Sequence, residues 1–506
     1  MTAPAGTGPG GPAHPHLSVE GTIAPVHELR RGALGVGFVV FFVVSAAAPL
    51  TALAGGVPIG MLLGNGPGIP GLFILVMIVL AVFAAGYTAM ARHISNAGSF
   101  YAFAARGLGK PAGGAAAMIA LLGYNCMQIG LYGLFGVATS SLMAEFGVEL
   151  PWWLFVFVAI GLVAWLGYRQ IDLSAKVLAT LVIVEYLVMI VLDVAILARG
   201  GDSGLNAVPF RPDAVLSGTP SVGLLFCFAC FLGFEASTIY AEEARNPHRT
   251  IPIATYVSIA VIGVFYAFSS WCMVMGAGSD KLVDKIGGLD DPTMFLFTLS
   301  EQYTGAGVTR LMQVLFMSSV FAALVAFHNA VSRYFYVMGR EGVLHGRLGR
   351  THGTYQSPYM GSVLQSTMAV VVVSVFALAG ADPVLTLFSW LTNLATLCVI
   401  ALMALTSFAV VVYFRNRADL TDPADPAARA DHPIRVFVLP LAAGIVLTSV
   451  LVLAVVNFKV LTGASEGLAW AITATLPIAA VLGVVLAKRV GRIDPARYEL
   501  LGSSRL

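Results

Sequence analysis

Long apolar runs are the feature of this 506-residue sequence that most limits its fold. A helix needs about 20 apolar residues to cross a hydrocarbon core roughly 30 Å thick. Twelve runs meet this length, at residues 33–60, 69–91, 112–143, 151–168, 174–198, 219–244, 251–276, 307–338, 361–380, 383–414, 434–457 and 467–488. Charged residues make up only 11% of the chain, against about 25% in soluble domains. The sequence therefore predicts an all-α polytopic protein with twelve transmembrane helices in a lipid bilayer.

Basic residues are distributed unevenly between the two sides of such a bundle. Twelve helices place both ends of the chain on one side, and the loops and ends on that side hold 22 of the 28 Lys and Arg residues, against 6 on the other. Loops rich in Lys and Arg remain in the cytoplasm. We therefore expect a multi-pass protein of the cytoplasmic membrane with cytoplasmic N- and C-termini.

The composition argues against several classes of function. A net charge of +2 gives no basic surface for nucleic acid. All five cysteines lie inside apolar runs, which predicts neither a disulfide framework nor a zinc site. Metal-ligand spacings and nucleophile motifs are absent from the cytoplasmic segments, and the GxxxxGK[ST] nucleotide loop does not occur. We therefore expect no enzyme activity, no cofactor and no bound metal, and we exclude ATP-driven activity of this chain alone.

Two of the runs are interrupted at membrane depth. In the sixth run, Gly233 supplies backbone freedom and Glu235 needs a partner away from lipid. In the first run, Pro49 removes a backbone donor. A kinked but continuous helix is the alternative in each case. However, the interruptions, near residues 46–50 and 231–235, occupy corresponding places five helices apart, which is typical of inverted-repeat transporters and marks their binding site.

Polar side chains recur on single helix faces in two other runs. The third run carries Tyr124, Gln128 and Tyr132, and the tenth carries Ser389, Asn393 and Thr396. Such a face either lines a substrate cavity or joins neighbouring helices, because membrane helices also use polar side chains to contact one another. We expect Tyr124 and Gln128 to line the cavity, and the helix-joining alternative stays open.

Four ionisable side chains lie within the runs, namely Glu185, Asp193, Glu235 and His328. An acid at a helix centre costs about 2.5–3.5 kcal/mol, so each acid must face protein or water. Glu185 and Glu235 are the candidates for ion coupling. Asp193 is alternatively an interfacial carboxylate, and His328 is alternatively a packing residue.

Three segments resemble motifs of the amino acid-polyamine-organocation (APC) superfamily. Residues 233–255, GFEASTIYAEEARNPHRTIPIAT, resemble its sixth-helix signature. Residues 92–110, RHISNAGSFYAFAARGLGK, resemble its loop after helix 2, and residues 332–344, SRYFYVMGREGVL, resemble the end of its eighth helix. The resemblance covers about residues 30 to 490. It implies two five-helix inverted repeats and two extra helices, with discontinuous helices 1 and 6 that bind the substrate's amino and carboxyl groups.

The candidate substrate-binding residues follow from this resemblance and from the face on the third run. They are Ala46, Ala47, Ala48, Pro49, Tyr124, Gln128, Phe231, Leu232 and Gly233. Many family members have a Gly-Ser-Gly type of break in helix 1, where this chain has residues 45–49, SAAAP. Main-chain groups can still bind there, but the departure leaves the identity of the substrate open. A second departure is Ala229, where some relatives carry a gating aromatic residue.

Together these features predict a secondary active transporter that imports an amino acid or related small amine by proton symport with alternating access. An exchanger without net ion coupling is one alternative, and a membrane sensor or accessory subunit that binds the ligand without moving it is another. Glu185 is the candidate proton carrier, at a place where some proton-coupled relatives have a lysine. Its alternatives are a sodium site with Ser318 or Ser319, and a permanently protonated structural role.

The chain is expected to divide into five parts. These are a disordered cytoplasmic tail at residues 1–31, a transporter core at 32–415 with repeats at about 32–200 and 215–415, a cytoplasmic linker at 416–433, the two extra helices at 434–489, and a cytoplasmic tail at 490–506.

Overall fold

The computed structural model describes residues 35–94, 99–169, 175–235, 237–238, 244–353, 355, 357–417, 432–463 and 465–502. The main helices, in chain order, are α1 Val36–Ala46, α2 Ile69–Ala91, α3 Lys110–Ala144, α4 Trp152–Arg169, α5 Ala175–Arg199, α6 Pro220–Cys230, α7 Pro247–Ala277, α8 Ala306–Arg340, α9 Tyr359–Leu378, α10 Ser389–Arg415, α11 Leu439–Val456, α12 Glu466–Ile493 and α13 Pro495–Leu500. A shorter helix, Ser99–Gly107, joins α2 to α3 and is called the connecting helix below.

The described residues form an all-helical membrane protein. Ten helical stretches among them are long and apolar enough to cross a bilayer, and α1 and α6 are two shorter apolar helices. The predicted fold class is confirmed, and most helices begin and end close to the predicted bounds. The five-part division and the exact inverted repeat stay predictions. The predicted tail at 1–31 and most of the linker at 416–433 lie outside the described residues.

The first and sixth helices are both discontinuous, as the sequence predicts. After α1 ends at Ala46, helical turns resume at Pro49 and continue to Asn65, partly as π-helix. After α6 ends at Cys230, residues 231–233 form a turn. Each break leaves main-chain groups without a partner inside their own helix, so these groups depend on other helices.

Helix α3 is the central packing element of the bundle. It contacts α4, α8, α10, α12 and the connecting helix. Glycines allow these close approaches: a Cβ added at Gly114 would lie 2.4 Å from the carbonyl oxygen of Gly483 on α12, and one at Gly130 would lie 2.8 Å from Cγ2 of Thr392 on α10. Small residues at such crossings are typical of membrane helices, because van der Waals contact replaces the hydrophobic effect there.

The two broken helices pack against other members of the bundle. Helix α1 contacts α5 and α7, and the turns that follow its break contact α7 and α8. Helix α6 packs on α2, α10 and α11. The breaks are therefore enclosed by protein instead of lipid.

Candidate substrate and ion-coupling site

The break in the first helix is held by hydrogen bonds from two other helices. Ala48, at its centre, has a positive φ of +46°. The hydroxyl of Tyr266 on α7 donates to the carbonyl oxygen of Ala47 at 2.8 Å. The backbone N–H of Leu50 donates to Oε2 of Glu185 on α5 at 3.3 Å. The main chain on the two sides of the break is thus fixed to α7 and to α5.

Glu185 joins this break to the eighth helix. Its Oε2 also accepts a hydrogen bond from the hydroxyl of Ser319 on α8 at 3.0 Å. The hydroxyl of Thr51, just past the break, donates to Oγ of Ser319 at 3.0 Å. Glu185 is 1% exposed. Ser318 lies apart from this group, because its hydroxyl donates to the carbonyl oxygen of Leu315 on its own helix.

The break in the sixth helix contains a second buried acid. Gly233 has a φ of +108°, a conformation that favours glycine. Its N–H donates to Oε2 of Glu235 at 2.9 Å, and the hydroxyl of Tyr124 on α3 donates to Oε1 at 3.1 Å. The hydroxyl of Tyr87 on α2 donates to the carbonyl oxygen of Glu235 at 3.0 Å. Tyr124 therefore lies at the α6 break, and its role in lining a substrate cavity stays a prediction.

The two breaks share one chemical arrangement. At each break a backbone N–H group donates to the carboxyl group of a glutamate, Leu50 to Glu185 and Gly233 to Glu235. The second half of helix 1 begins at this point, and a helix N-terminus carries partial positive charge that favours an anion. At both breaks, the chain's own acids therefore accept hydrogen bonds from backbone N–H groups that no longer have a helical partner.

Tyr266 contacts both breaks, but it was not among the site residues predicted from the sequence. Its hydroxyl contacts the α1 break, and its ring packs edge-on against Phe231 of the α6 break, with ring centroids 6.4 Å apart. The available signal was a tyrosine in the middle of the seventh apolar run. Ser270 lies one turn further along the same helix, so the spacing that indicated Tyr124 was also present at Tyr266.

Gln128 lies in a separate polar cluster between α3, α8 and α9. Its Oε1 accepts a hydrogen bond from Nε2 of Gln365, and its Nε2 lies 3.3 Å from Nδ1 of His328. Nε2 of His328 lies 2.7 Å from Oγ of Ser362. All four side chains are buried. This placement favours the alternative left open by the sequence, in which the polar residue joins neighbouring helices.

The polar face of the tenth run makes mainly local hydrogen bonds. Asn393 donates to the carbonyl oxygen of Ser389 at 2.7 Å, and Thr396 donates to that of Thr392 at 2.8 Å. Asp193 is fully buried between α5 and α7, where Ser269 donates to it at 2.6 Å, so this acid faces protein, as its cost in lipid requires.

A small space of about 10 Å³, room for about one water molecule, lies against the α6 break. Thr396 is its single polar lining residue. The lining consists of Leu80, Phe228, Phe231, Leu232, Phe234, Thr396, Val399, Ile400 and Met403. Within the described ranges, no group of three or more His, Cys, Asp and Glu side chains could hold a metal ion.

Comparisons with known proteins give consistent relatives. Residues 35–486 match the family model described as amino acid permease. The branched-chain amino acid permease BcaP of Bacillus subtilis (strain 168) is 26% identical over 410 residues, which cover 76% of this chain and 80% of BcaP. The low-affinity putrescine importer PlaP of Escherichia coli (strain K12) is 23% identical over 320 residues, which cover 60% of this chain and 67% of PlaP.

A solved structure resembles the whole fold. The manganese transporter of Eremococcus coleocola, in its H236A mutant form, aligns with a TM-score of 0.53 at 14% identity, covering 91% of this chain and 97% of that chain. At this identity the likeness concerns the fold alone.

Proposed function

Because this chain belongs to the amino acid permease family, within the APC superfamily, we propose that it imports an amino acid or a related small amine by proton symport with alternating access. Its relatives include a permease named for branched-chain amino acids and an importer named for putrescine. Both classes of substrate are therefore candidates. The broken helices 1 and 6, enclosed by the bundle, support a binding site at membrane depth.

The proposed substrate site consists of main-chain groups at the two breaks. Residues 46–49 of helix 1 and 231–233 of helix 6 supply N–H and C=O groups for the substrate's carboxyl and amino groups. Tyr124 contributes a hydroxyl beside Glu235, at 3.1 Å from its Oε1. Gln128 belongs to this site only if the α3 face rearranges, because its amide bonds to α8 and α9 here.

The contact between Glu185 and Leu50 is the observation that carries the proton-coupling proposal. Among the described ion pairs none includes Glu185, so its negative charge would have no Lys or Arg to neutralise it. Burying an unpaired charge is costly, whereas a protonated carboxyl group can be buried with hydrogen bonds. Glu185 is therefore suited to take up a proton while it is enclosed and to lose it when water reaches it.

Protonation of Glu185 also changes what the α1 break can bind. A neutral carboxyl group accepts hydrogen bonds less strongly than a carboxylate. The N–H of Leu50 is then free to donate to the carboxylate of a substrate. Proton binding at Glu185 and substrate binding at the break therefore favour each other, which is the thermodynamic basis of symport.

A sodium site at the same place is the second candidate. The oxygen atoms of Glu185, Ser319 and Thr51 form a connected group, and Na⁺ prefers oxygen ligands. Sodium coupling predicts that accumulation follows a sodium gradient at constant pH.

Two further alternatives differ in what they transport. An exchanger without ion coupling predicts counterflow of substrate without net accumulation. A sensor or accessory subunit predicts substrate binding with neither counterflow nor accumulation.

The test uses purified protein in liposomes with labelled amino acids and an imposed proton gradient. Glu185→Gln resembles the protonated acid, so we expect it to retain substrate exchange but to lose accumulation driven by the gradient by tenfold or more. Ser318→Ala is the matched control, because that hydroxyl bonds within its own helix. It should keep gradient-driven accumulation, while Ser319→Ala should weaken it.

Two results would contradict the assignment. Undiminished pH-driven accumulation by Glu185→Gln would remove Glu185 as the proton carrier, and Glu235 would be tested next. Accumulation by the unmodified protein that requires sodium and ignores the pH gradient would replace proton symport with sodium symport.

A further inference from the structure

The C-terminal segment, residues 495–502, is docked into a socket on the side of the bundle where most basic residues lie. It comprises α13 and the two residues that follow. Leu501 is 1% exposed and enters a hydrophobic cluster built from several helices. The other buried members are Tyr101, Ala105, Ala117, Met338, Val343, Ala487 and Val490. The segment predicted as a tail thus packs against the connecting helix, α3, α8 and α12.

Polar contacts fix the end of this segment. Nζ of Lys110, at the start of α3, donates to the carbonyl oxygens of Leu501 at 2.6 Å and Glu499 at 2.8 Å. Gly502 is buried, and a Cβ added there would lie 2.8 Å from Cβ of Ala105 on the connecting helix. The main chain of residues 499–502 therefore approaches the connecting helix at close range.

Glu341 forms the polar centre of the socket. It follows the last residue of α8 and is 3% exposed. Its carboxyl group accepts hydrogen bonds from the hydroxyl of Tyr101 on the connecting helix and from the backbone N–H of Gly502. A single buried acid therefore contacts the connecting helix, α8 and the C-terminal segment.

We propose that residues 495–502 form a pH-sensitive clasp, which ties the connecting helix to the end of α8 while it is docked and loosens as the proton concentration on that side falls. The connecting helix belongs to the first half of the chain and α8 to the second. The clasp is a third, separate element that contacts both. This proposal concerns the fold and does not depend on the substrate or on Glu185.

Burial determines the direction of the pH effect at Glu341, against the opposing effect of the charges around it. The charges are those of Lys110 on α3 and Arg340 on α8, beside the neutral hydroxyl of Tyr101 on the connecting helix, and Lys110 is flanked in turn by Arg106 and Glu499. On the clasp, Arg497 packs against Gly342, next to Glu341. Burial raises the pKa of Glu341 from 4.5 to about 7, although the hydrogen bonds and the basic neighbours act to lower it. Undocking exposes the carboxyl group and returns its pKa toward the ordinary value.

Because the pKa is raised in the docked state, the protonated acid favours docking. Docking is therefore strongest at low pH and weakens as pH rises through about 7. A carboxyl group whose pKa changes between about 7 and 4.5 weakens the docking equilibrium about tenfold between pH 6 and pH 8.5.

Spin labels on the intact protein measure docking directly. One label goes on Gly346→Cys, where an added side chain meets no atom within 4 Å, and the other on the exposed Ala496→Cys of the clasp. The five native cysteines are buried. Electron paramagnetic resonance then gives the distance distribution at about pH 6 and pH 8.5, on either side of the expected midpoint. Leu501→Asp, which places a charge in the apolar cluster, supplies the undocked reference at both values.

We expect a narrow distribution at low pH and an added broad component, matching the Leu501→Asp reference, at high pH. Glu341→Gln, which resembles the protonated acid, should stay narrow at both values. Glu499→Gln, an exposed acid of the clasp itself, should keep the pH dependence. A distribution that is unchanged between the two pH values, or a pH response that persists in Glu341→Gln, would overturn the proposal.

Discussion

Ala48 is the only non-glycine residue with positive φ in the described part of the chain. An L-residue in this region costs about 1–2 kcal/mol, because its Cβ approaches the following carbonyl oxygen. Alanine occupies this position, although glycine adopts a positive φ without that cost. The break is therefore maintained against local strain by its contacts, including the Tyr266 and Glu185 hydrogen bonds.

This strain predicts the effect of two substitutions at position 48. Ala48→Gly removes the clash but adds about 0.5–1 kcal/mol of backbone entropy cost, so the free energy of unfolding should stay equal or rise by up to about 1.5 kcal/mol. Ala48→Val adds a β-branched side chain, so stability should fall by about 1–3 kcal/mol and transport should be lost. Thermal unfolding and uptake assays measure both. Unchanged stability and uptake in Ala48→Val would show that the break is not strained.

Residue spacing in the sequence predicts which side chains share a helix face but not which neighbour that face meets. Tyr124 and Gln128 are one turn apart on α3, yet one bonds to Glu235 of the α6 break and the other to Gln365 on α9. The enclosure of Glu185 and Glu235 by protein was predictable from the sequence, because an acid at membrane depth is costly and must face protein or water. The hydrogen bond from Gly233 to Glu235 is local, whereas Leu50 and Ser319 reach Glu185 only through tertiary packing, which residue spacing does not predict.

Helix bounds were the most predictable property at the scale of elements. The bilayer fixes the length of an apolar helix, so α2, predicted at 69–91, runs from Ile69 to Ala91. The first helix was less predictable: its apolar run was expected to end at residue 60, but helical turns continue to Asn65, partly as π-helix. Local π-helical winding of this kind depends on the packing of neighbouring helices, and a hydropathy pattern carries no information about that packing.

The crossing of α3 and α12 gives a prediction about helix packing. A Cβ on Gly483 would lie 2.1 Å from the carbonyl oxygen of Gly114, so the two backbones must separate to admit a side chain. Gly483→Leu should therefore lower the free energy of unfolding by about 1–3 kcal/mol or more, the usual cost of overpacking. Gly161→Leu on α4, where no atom lies within 4 Å, is the matched control and should change stability little.

Thermal unfolding in detergent compares the two variants. Equal melting temperatures for Gly483→Leu and Gly161→Leu would mean that α12 is not held against α3 in the folded protein. A loss confined to Gly483→Leu would identify this crossing as the contact that attaches α12 to the bundle core.

At the scale of the whole molecule, the sequence indicated the class of protein and left its substrate open. The distribution of apolar runs was sufficient for the class, because only helices or closed barrels satisfy backbone groups in lipid. The substrate depends on a few side chains around the breaks, whose positions need the packed structure. Glu235 is the main example of a residue whose role depends on packing. In the sequence, an acid at this place suits a cationic amine. In the structure, both of its carboxyl oxygens accept hydrogen bonds from the protein.

That engagement of Glu235, together with the apolar side chains that pack beside the α6 break, predicts a preference for amino acids with apolar side chains over diamines. A ligand that binds only the folded state stabilises it by RT ln(1 + [L]/Kd), about 2.7 kcal/mol at a hundredfold excess over Kd. Leucine, isoleucine or valine should therefore raise the melting temperature of the purified protein more than putrescine at equal concentration. The matching 2-oxo acid and the matching amine, each lacking one of the two groups that the breaks are proposed to bind, should raise it less than the amino acid.

Tyr124→Phe tests the part that Glu235 plays in this preference. The variant removes one hydrogen bond from Glu235 and leaves that carboxyl oxygen free for a cation, so putrescine should raise its melting temperature more than it does for the unmodified protein. A larger shift with putrescine than with leucine in the unmodified protein would make Glu235 the partner of a cationic substrate and reverse the expected preference.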